Sequence, residues 1–136
     1  MAKARTFSTS LTMLKKAGLR PTRQRLALCR LLFENGFRHV CAEHLYDEAT
    51  SAKVRVSLAT IYNTLHQFHK SGMLNDLNLG GGRAWFDTNT LPHHHFYIPE
   101  DQQIIDIPAE NISFSRLPPP PYGRQVRNIG VMITLE

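Results

Sequence analysis

Residues 57–87, SLATIYNTLHQFHKSGMLNDLNLGGGRAWFD, begin with a strong helix signal. Ser57 is a residue type that caps helix N-termini, and Gly72 is typical of the position just past a helix end. Apolar side chains recur between them at helical spacing, at Leu58, Ile61, Leu65 and Phe68. This stretch therefore predicts an amphipathic helix with one buried face.

The apolar period changes immediately after that helix. Residues Leu74–Leu79 alternate in the manner of a strand, the glycines 80–82 allow a tight connection, and Arg83–Asp87 form a return strand. The segment is thus predicted to be a helix followed by a glycine-rich β-hairpin.

Three further helices are predicted upstream. They cover Leu11–Ala17, a segment capped by Thr22 that ends at Asn35-Gly36, and about Ala42–Ser51. The apolar stripes of the second and third are Leu26, Cys29, Leu32 and Phe33, and Ala42, Leu45, Tyr46 and Ala49. Three helices followed by a hairpin are typical of a winged helix-turn-helix, whose last helix enters the DNA major groove.

The remainder of the chain reads as a small strand-rich domain. Strands are predicted at His93–Ile98, at Ile104–Ile107 and in the alternating Ile129, Val131, Ile133 and Leu135, with Pro118–Pro121 as an extended spacer. We expect an α+β fold with a winged-helix domain at 1–88, a link at 89–92, and a small α/β dimerisation and ligand-sensing domain at 93–136. So small a domain buries little core alone, so it is expected to form a homodimer.

Charge is distributed unevenly along the 136 residues, whose net charge is +5. Residues 1–33 hold eight of the sixteen Lys and Arg and no acid, whereas from residue 91 five acids outnumber three bases. A basic first half suggests nucleic acid as its partner. An organellar transit peptide is the alternative explanation of the acid-free N-terminus.

Cysteine usage and hydropathy indicate an intracellular protein. Cys29 and Cys41 form neither a CxxC pair nor a disulfide framework, and Cys29 falls on an apolar helix face. No apolar run is long enough for a secretory core or a membrane span. We therefore expect a cytoplasmic protein that does not associate with membranes.

The outward face of the helix after Ser57 has the chemistry of a DNA reader. Asn63 can read adenine, the Thr60 methyl group suits thymine, and Tyr62 can pack on a sugar or base. Arginines and lysines around it are placed to hold phosphates, namely Lys15, Arg20, Arg23 and Arg25, with Arg83 on the wing. A double-stranded DNA operator is the predicted partner, and a solvated helix face is the alternative.

The consecutive histidines His93, His94 and His95 suggest a sensor site. On a strand, His93 and His95 project to one face and His94 to the other, so two imidazoles on one face suit a metal ion or a haem iron. Asp87 and Asp106 supply oxygen ligands nearby. A polar surface turn is the alternative.

The segments GLRPTRQRLALCRLLF, HVCAEHLYDEA, SLATIYNTLHQF and GGGRAWFDTN, with HHHFY, resemble the ferric uptake regulator (Fur) superfamily. Within it they are most similar to the iron response regulator branch (Irr) of alphaproteobacteria. The resemblance implies a homodimeric transcription regulator, not an enzyme. It also implies a regulatory Zn, Fe or Mn site formed by His39, Asp87, His93, His95 and Asp106.

The chain departs from the family pattern at several positions. It has no cysteine after Cys41, so the CxxC structural zinc site is missing, and Pro92 and Ser113 occupy ligand positions of a second site. The Cys-Pro haem motif of some Irr proteins is also missing, because Arg30 and Ala42 follow the cysteines. Haem sensing, as the branch implies it, would then fall to His93, His94 and His95.

The resulting hypothesis is a haem- and iron-responsive regulator whose DNA binding is weakened by haem, received free or from a haem-delivering protein. The first alternative is a repressor that uses a divalent metal directly as corepressor. The second is a small metal-dependent hydrolase, which would need an open coordination position and a general base. The basic helix and the glycine-rich wing argue against the hydrolase.

Overall fold

A computed structural model describes residues 7–136 of the chain. Lys3 and Arg5, which belong to the basic N-terminal segment, lie outside the described residues. The chain divides into two compact units between Thr90 and Leu91. Each unit is described separately below.

The first unit contains four helices, α1 (Phe7–Lys16), α2 (Arg23–Phe33), α3 (Ala42–Ser51) and α4 (Leu58–Lys70). The two predicted caps are confirmed, because Thr22 Oγ1 accepts the Arg25 N–H at 3.1 Å and Ser57 Oγ accepts the Thr60 N–H at 3.1 Å. The first helix begins at Phe7, four residues before the predicted Leu11. Ser and Thr residues in this segment are weak helix formers, which hides the start from sequence patterns.

A three-stranded antiparallel sheet completes the first unit, with β1 (His39–Cys41), β2 (Asn75–Leu77) and β3 (Trp85–Asp87) in the order β1-β3-β2. The wing strands are shorter than predicted, and β1 was not predicted at all because three residues carry no alternating signal. Gly80, Gly81 and Gly82 all have positive φ, from 75° to 81°. Residues with a Cβ rarely adopt that conformation, which accounts for the glycine run in the wing.

The core of this unit gathers one face of each helix around Phe86 of β3. On α4, Ile61, Leu65 and Phe68 are fully buried as predicted. Leu58 is not buried as expected, since 36% of it is exposed. It is the first residue of α4, and this end of the apolar face of the helix lies outside the packed core. Tyr46 of α3, also predicted to be buried, is 38% exposed.

The second unit is a sheet of β4 (His93–Ile98), β5 (Gln103–Pro108) and β6 (Met132–Thr134) in the order β5-β4-β6. The predicted pairing of β4 with β5 is confirmed and antiparallel, and β6 runs parallel to β4. The predicted C-terminal strand is shorter than the alternation of residues 129–135 suggested. The last proline of the predicted extended spacer begins a short 3-10 turn, Pro121–Gly123. The α+β class is confirmed.

Burial in the second unit is sparse. Ile107, His94 and His95 are the buried residues of 91–136. Several large apolar side chains remain more than a third exposed, including Ile105, Phe114, Leu117, Ile129, Ile133 and Leu135. Its three strands therefore leave much of their apolar surface in contact with water.

The exposure of Leu58 leads to a matched stability test within α4. Leu65→Ala should lower the free energy of unfolding by about 2–5 kcal/mol, because it leaves a cavity in the core. Leu58→Ala, the same change at an exposed position, should cost less than about 1 kcal/mol. Urea unfolding of both variants measures the difference, and equal losses would contradict the packing of α4 described above.

Candidate metal and nucleic-acid sites

His39 and Asp87 face each other in the sheet of the first unit. They are register partners on β1 and β3, and His39 Nε2 lies 3.5 Å from Asp87 Oδ2. Asp87 is 1% exposed, and its Oδ1 accepts the Asn89 N–H at 2.9 Å. A carboxylate this deeply buried requires partners, so one oxygen is held by the backbone while the other faces an imidazole.

His93 and His95 converge on Asp106 in the second unit. The Nε2 atoms of both histidines lie 3.5 Å from the same oxygen, Asp106 Oδ1, and the two ring centroids are 4.5 Å apart. Asp106 is the antiparallel register partner of His95. The strand alternation that predicted His93 and His95 on one face is therefore confirmed.

Hydrogen bonding assigns the tautomer of His93. Its Nδ1 lies 2.6 Å from the carbonyl oxygen of Leu91, so Nδ1 must carry a proton and donate it. In the neutral ring Nε2 then has a lone pair, directed toward a carboxylate oxygen that also carries negative charge. Lone pairs and a carboxylate gathered around one point are stabilised by a cation, so the donor set fits a divalent metal.

His94 projects to the opposite face of β4 and has a different role. Its Nδ1 accepts the Val131 N–H at 3.0 Å, and its ring packs edge-on against Phe114 at 6.0 Å. The side chain is 5% exposed. His94 therefore fastens the segment that precedes β6 to β4, and only its Nε2 is left for any other ligand.

Both cysteines are buried and reduced in the structure. Burial raises the pKa of the Cys41 thiol, so this side chain is a neutral thiol at physiological pH. Since metals bind the thiolate, Cys41 is poorly suited as a ligand despite its nearness in sequence to His39.

The predicted base-reading residues of α4 differ in their surroundings. Asn63 is exposed on the helix surface. The Thr60 hydroxyl takes part in the cap, accepting a hydrogen bond from Ser57 Oγ at 2.9 Å. Tyr62 is half-buried, and its hydroxyl donates to Glu43 Oε2 at 2.7 Å. Of the three, Asn63 is the one whose side chain faces solvent most openly.

The predicted phosphate-binding residues also separate into two groups. Lys15, Arg20 and Arg23 are exposed. Arg25 donates to the Arg20 carbonyl at 2.8 Å and to Gln67 Oε1 at 3.0 Å, which ties α2 to α4. Arg25 is therefore held by protein contacts, while Lys15, Arg20 and Arg23 present their charge to solvent. Arg83, the fifth predicted residue, is half-buried beside Glu43.

Glu43 is a residue that the sequence patterns did not single out. It lies in the first turn of α3, accepts the Tyr62 hydroxyl, and has Arg83 Nε 3.8 Å from its Oε1. Glu43 and Tyr62 are 19 positions apart along the chain, so no local spacing signals their contact. A carboxylate in a predicted DNA-binding region is the one feature that could have drawn attention to it.

In the described part of the chain, no helix combines the length and the apolar character that crossing a bilayer requires.

Comparison with known proteins yields several relatives. The chain is 40% identical over 87 residues to the ferric uptake regulation protein of Shigella flexneri, covering 64% of this chain and 58% of that protein. It is 35% identical over 97 residues to the peroxide-responsive repressor PerR of Staphylococcus epidermidis, covering 71% of this chain and 64% of the relative. The chain thus spans less than two thirds of the length of these relatives.

Solved structures share the fold. The ferric uptake regulator from Pseudomonas aeruginosa with manganese superposes with a TM-score of 0.72 at 24% identity, over 93% of this chain and 96% of that one. The Vibrio cholerae ferric uptake regulator gives a TM-score of 0.73 at 24% identity, over 92% and 97% of the two chains. At this identity the likeness establishes the fold alone.

The sequence model of the ferric uptake regulator family matches residues 16–116, most of both units. The family consists of regulators, in agreement with the prediction that the chain is not an enzyme. A match of this extent leads to one conclusion: the chain belongs to the ferric uptake regulator family.

Proposed function

We propose that this protein is a DNA-binding transcription regulator that uses a divalent metal ion directly as corepressor. The observation that carries the proposal is the convergence of two imidazole nitrogens on one oxygen of Asp106, each at 3.5 Å. That arrangement favours a bound cation. The proposal takes the divalent-metal alternative in preference to the haem-responsive one.

The proposed ligands are the five residues that the family resemblance implies, His39 and Asp87 of the first unit and His93, His95 and Asp106 of the second. Three imidazoles and two carboxylates suit Zn²⁺, Fe²⁺ or Mn²⁺, and residue types alone do not select among them. The names of the relatives point the same way, since one solved structure is a ferric uptake regulator with manganese and another a zinc-bound manganese uptake regulator. A bound cation would supply positive charge that neutralises the two carboxylates.

The proposed DNA-binding surface lies on the first unit. Asn63 on α4 is exposed for base contact, and Lys15, Arg20 and Arg23 are exposed for phosphate contact. The fold supports this assignment, because the Vibrio cholerae structure with the same fold is described as having DNA-binding domains. A winged helix that presents its last helix to the major groove is the corresponding mode of binding.

A homodimer through the second unit is part of the proposal. Apolar side chains of β5, β6 and the residues around them remain exposed, with Ile105 at 40%, Ile133 at 37% and Leu135 at 38%. Such a surface is costly in water and is typical of an interface with a second copy. A dimer would present two copies of α4 to two operator half-sites.

Haem sensing by His93, His94 and His95 is the finer reading that the Irr resemblance implies, and it stays a prediction. The hydrogen bond from Val131 occupies Nδ1 of His94, and the Leu91 carbonyl holds Nδ1 of His93. Axial ligation would therefore have to use Nε2 atoms. Two of these already converge on Asp106, which suits a metal ion better than a porphyrin.

The function is tested by duplex binding in a gel shift, using a sequence that the protein itself selects from a random pool. Mn²⁺ or Fe²⁺ should tighten binding to the duplex. His95→Ala should weaken Mn²⁺ affinity by at least about a hundredfold in calorimetry, because losing a residue that only supports a metal ligand already costs roughly 10–100-fold in metal affinity. The matched control is His94→Ala on the same strand, which should keep its metal response.

Haem is the third arm of the same experiment. Release of the duplex by haem, with a Soret band that disappears when all three histidines are replaced, would overturn the metal corepressor proposal in favour of the haem reading. Loss of the metal response in His94→Ala, with circular dichroism unchanged, would contradict the ligand assignment.

Base-reading and phosphate-holding residues should differ in their effect on selectivity. Asn63→Ala should cost about 1–3 kcal/mol on the selected duplex and less on random DNA. Arg23→Ala should weaken binding to both duplexes equally and reduce the salt slope by roughly 0.9 for each lost phosphate contact. Fluorescence anisotropy titrations over a range of salt concentrations measure both quantities. If Asn63→Ala lost the same affinity on both duplexes, Asn63 would contact the DNA backbone and not a base.

The dimer interface is tested by placing a charge on the apolar surface of the second unit. Ile133→Glu should shift the protein to monomer in sedimentation, because a buried unpaired carboxylate opposes association. Phe37→Glu is the control in the first unit, where the wild-type side chain is 66% exposed. A dimeric Ile133→Glu protein, or a monomeric Phe37→Glu protein, would place the interface elsewhere.

A further inference from the structure

One carboxylate in the first unit contacts two of the residues predicted to bind DNA. Glu43 of α3 accepts a hydrogen bond from the Tyr62 hydroxyl of α4 at 2.7 Å, and Arg83 of the wing places its Nε 3.8 Å from the other oxygen. The side chains of Glu43 and Arg83 are each 37% exposed. Glu43 thus joins the helix that reads DNA to the wing that flanks it.

The two oxygens of Glu43 are not equally satisfied. Oε2 has the short hydrogen bond from Tyr62, whereas Oε1 is buried and accepts no hydrogen bond from any residue that the structure describes. Arg83 Nε is beyond hydrogen-bonding distance of that oxygen, so the attraction between these two atoms is that of an ion pair without a hydrogen bond. Such a loose ion pair can be exchanged for another anion at little cost.

Glu43 carries its negative charge throughout the physiological range. The hydrogen bond from Tyr62 lowers the pKa of the Glu43 carboxyl, and the same bond raises the pKa of the Tyr62 hydroxyl. The position in the first turn of α3 adds the favourable field of the helix N-terminus. A fixed anion therefore lies beside Arg83, a cation that is proposed to meet DNA phosphates.

We propose that Glu43 is a specificity-determining residue that competes with DNA phosphates for Arg83 and so suppresses binding to non-operator DNA. This inference rests on the proposed DNA-binding function. Phosphate contacts carry no sequence information and supply most of non-specific affinity. On a random duplex the ion pair with Glu43 keeps Arg83 off the phosphates, whereas at the operator the closer docking that base contacts allow transfers Arg83 from Glu43 to a phosphate.

Glu43 also acts as a positioning residue for Tyr62. The hydrogen bond fixes the hydroxyl against α3, so the ring is held at one place on the α4 surface. A ring held in place loses less conformational entropy when DNA packs against it. Both effects favour the operator over random sequence. The ion pair with Arg83 weakens the complex with random DNA, and the ordered Tyr62 ring favours the complex with the operator.

Glu43→Gln separates the charge from the hydrogen bond, because the amide oxygen can still accept from Tyr62. With saturating Mn²⁺ in all arms, the variant should bind a random duplex roughly three- to tenfold more tightly, and its salt slope should steepen by about 0.9 per protomer, the value for one added phosphate contact. The operator-to-random affinity ratio should fall. In an Arg83→Met background, Glu43→Gln should leave the salt slope unchanged.

Glu34→Gln is the matched control. It removes the same charge from a carboxylate paired with an arginine, Arg30, at 3.4 Å, and it should not alter the slope or the affinity ratio. An unchanged slope in Glu43→Gln, or a steeper slope that persists in the Arg83→Met background, overturns the proposal. If Glu43→Gln weakens both duplexes equally, the residue is merely structural and the proposal fails.

The outcome for the wild-type protein distinguishes this proposal from the function on which it rests. If the wild-type protein binds no duplex, both the proposed function and the proposed role of Glu43 are wrong. If the wild-type protein prefers its selected duplex and the Glu43→Gln variant shows the same preference, only the proposed role of Glu43 is wrong.

Discussion

The burial of one stripe of α4 determines the orientation of the elements around it. Ile61, Leu65 and Phe68 are fully enclosed, so helical geometry leaves Asn63 and the rest of the opposite face to solvent. Phe86 of β3 joins the same core, which links the wing sheet to α4. The side chains on the proposed DNA-binding face are therefore those that the core leaves exposed to water.

A second constraint is the two-residue period of β4, which gives neighbouring histidines different roles. His93 and His95 meet Asp106, because that residue lies opposite His95 in the antiparallel register. His94 instead accepts a hydrogen bond from the Val131 backbone and joins the C-terminal segment to the sheet. One run of identical residues thus separates the proposed metal ligands, His93 and His95, from His94, which has a structural role.

The sequence predicted the features whose signals are local. Caps such as Thr22 and Ser57, apolar spacing and the glycine run of the wing are readable within a few residues, and their elements were found close to the expected positions. Strand β1 is too short to show alternation, and its partner β3 lies more than forty residues away. The contact of Glu43 with Tyr62 depends likewise on tertiary packing, which no spacing rule reports.

The position of Asp87 suggests how metal occupancy can influence DNA binding in the proposed function. Asp87 lies on the central strand of the wing sheet, with His39 beside it on β1 and Asn75 beside it on β2. Ligation through both His39 and Asp87 would cross-link β1 to β3 and remove the cost of a carboxylate that is 1% exposed. The wing, and the α4 core it shares through Phe86, would then be more rigid in the loaded protein than in the free one. A more rigid reading surface loses less entropy on binding, so a cation held away from the DNA can still strengthen the complex.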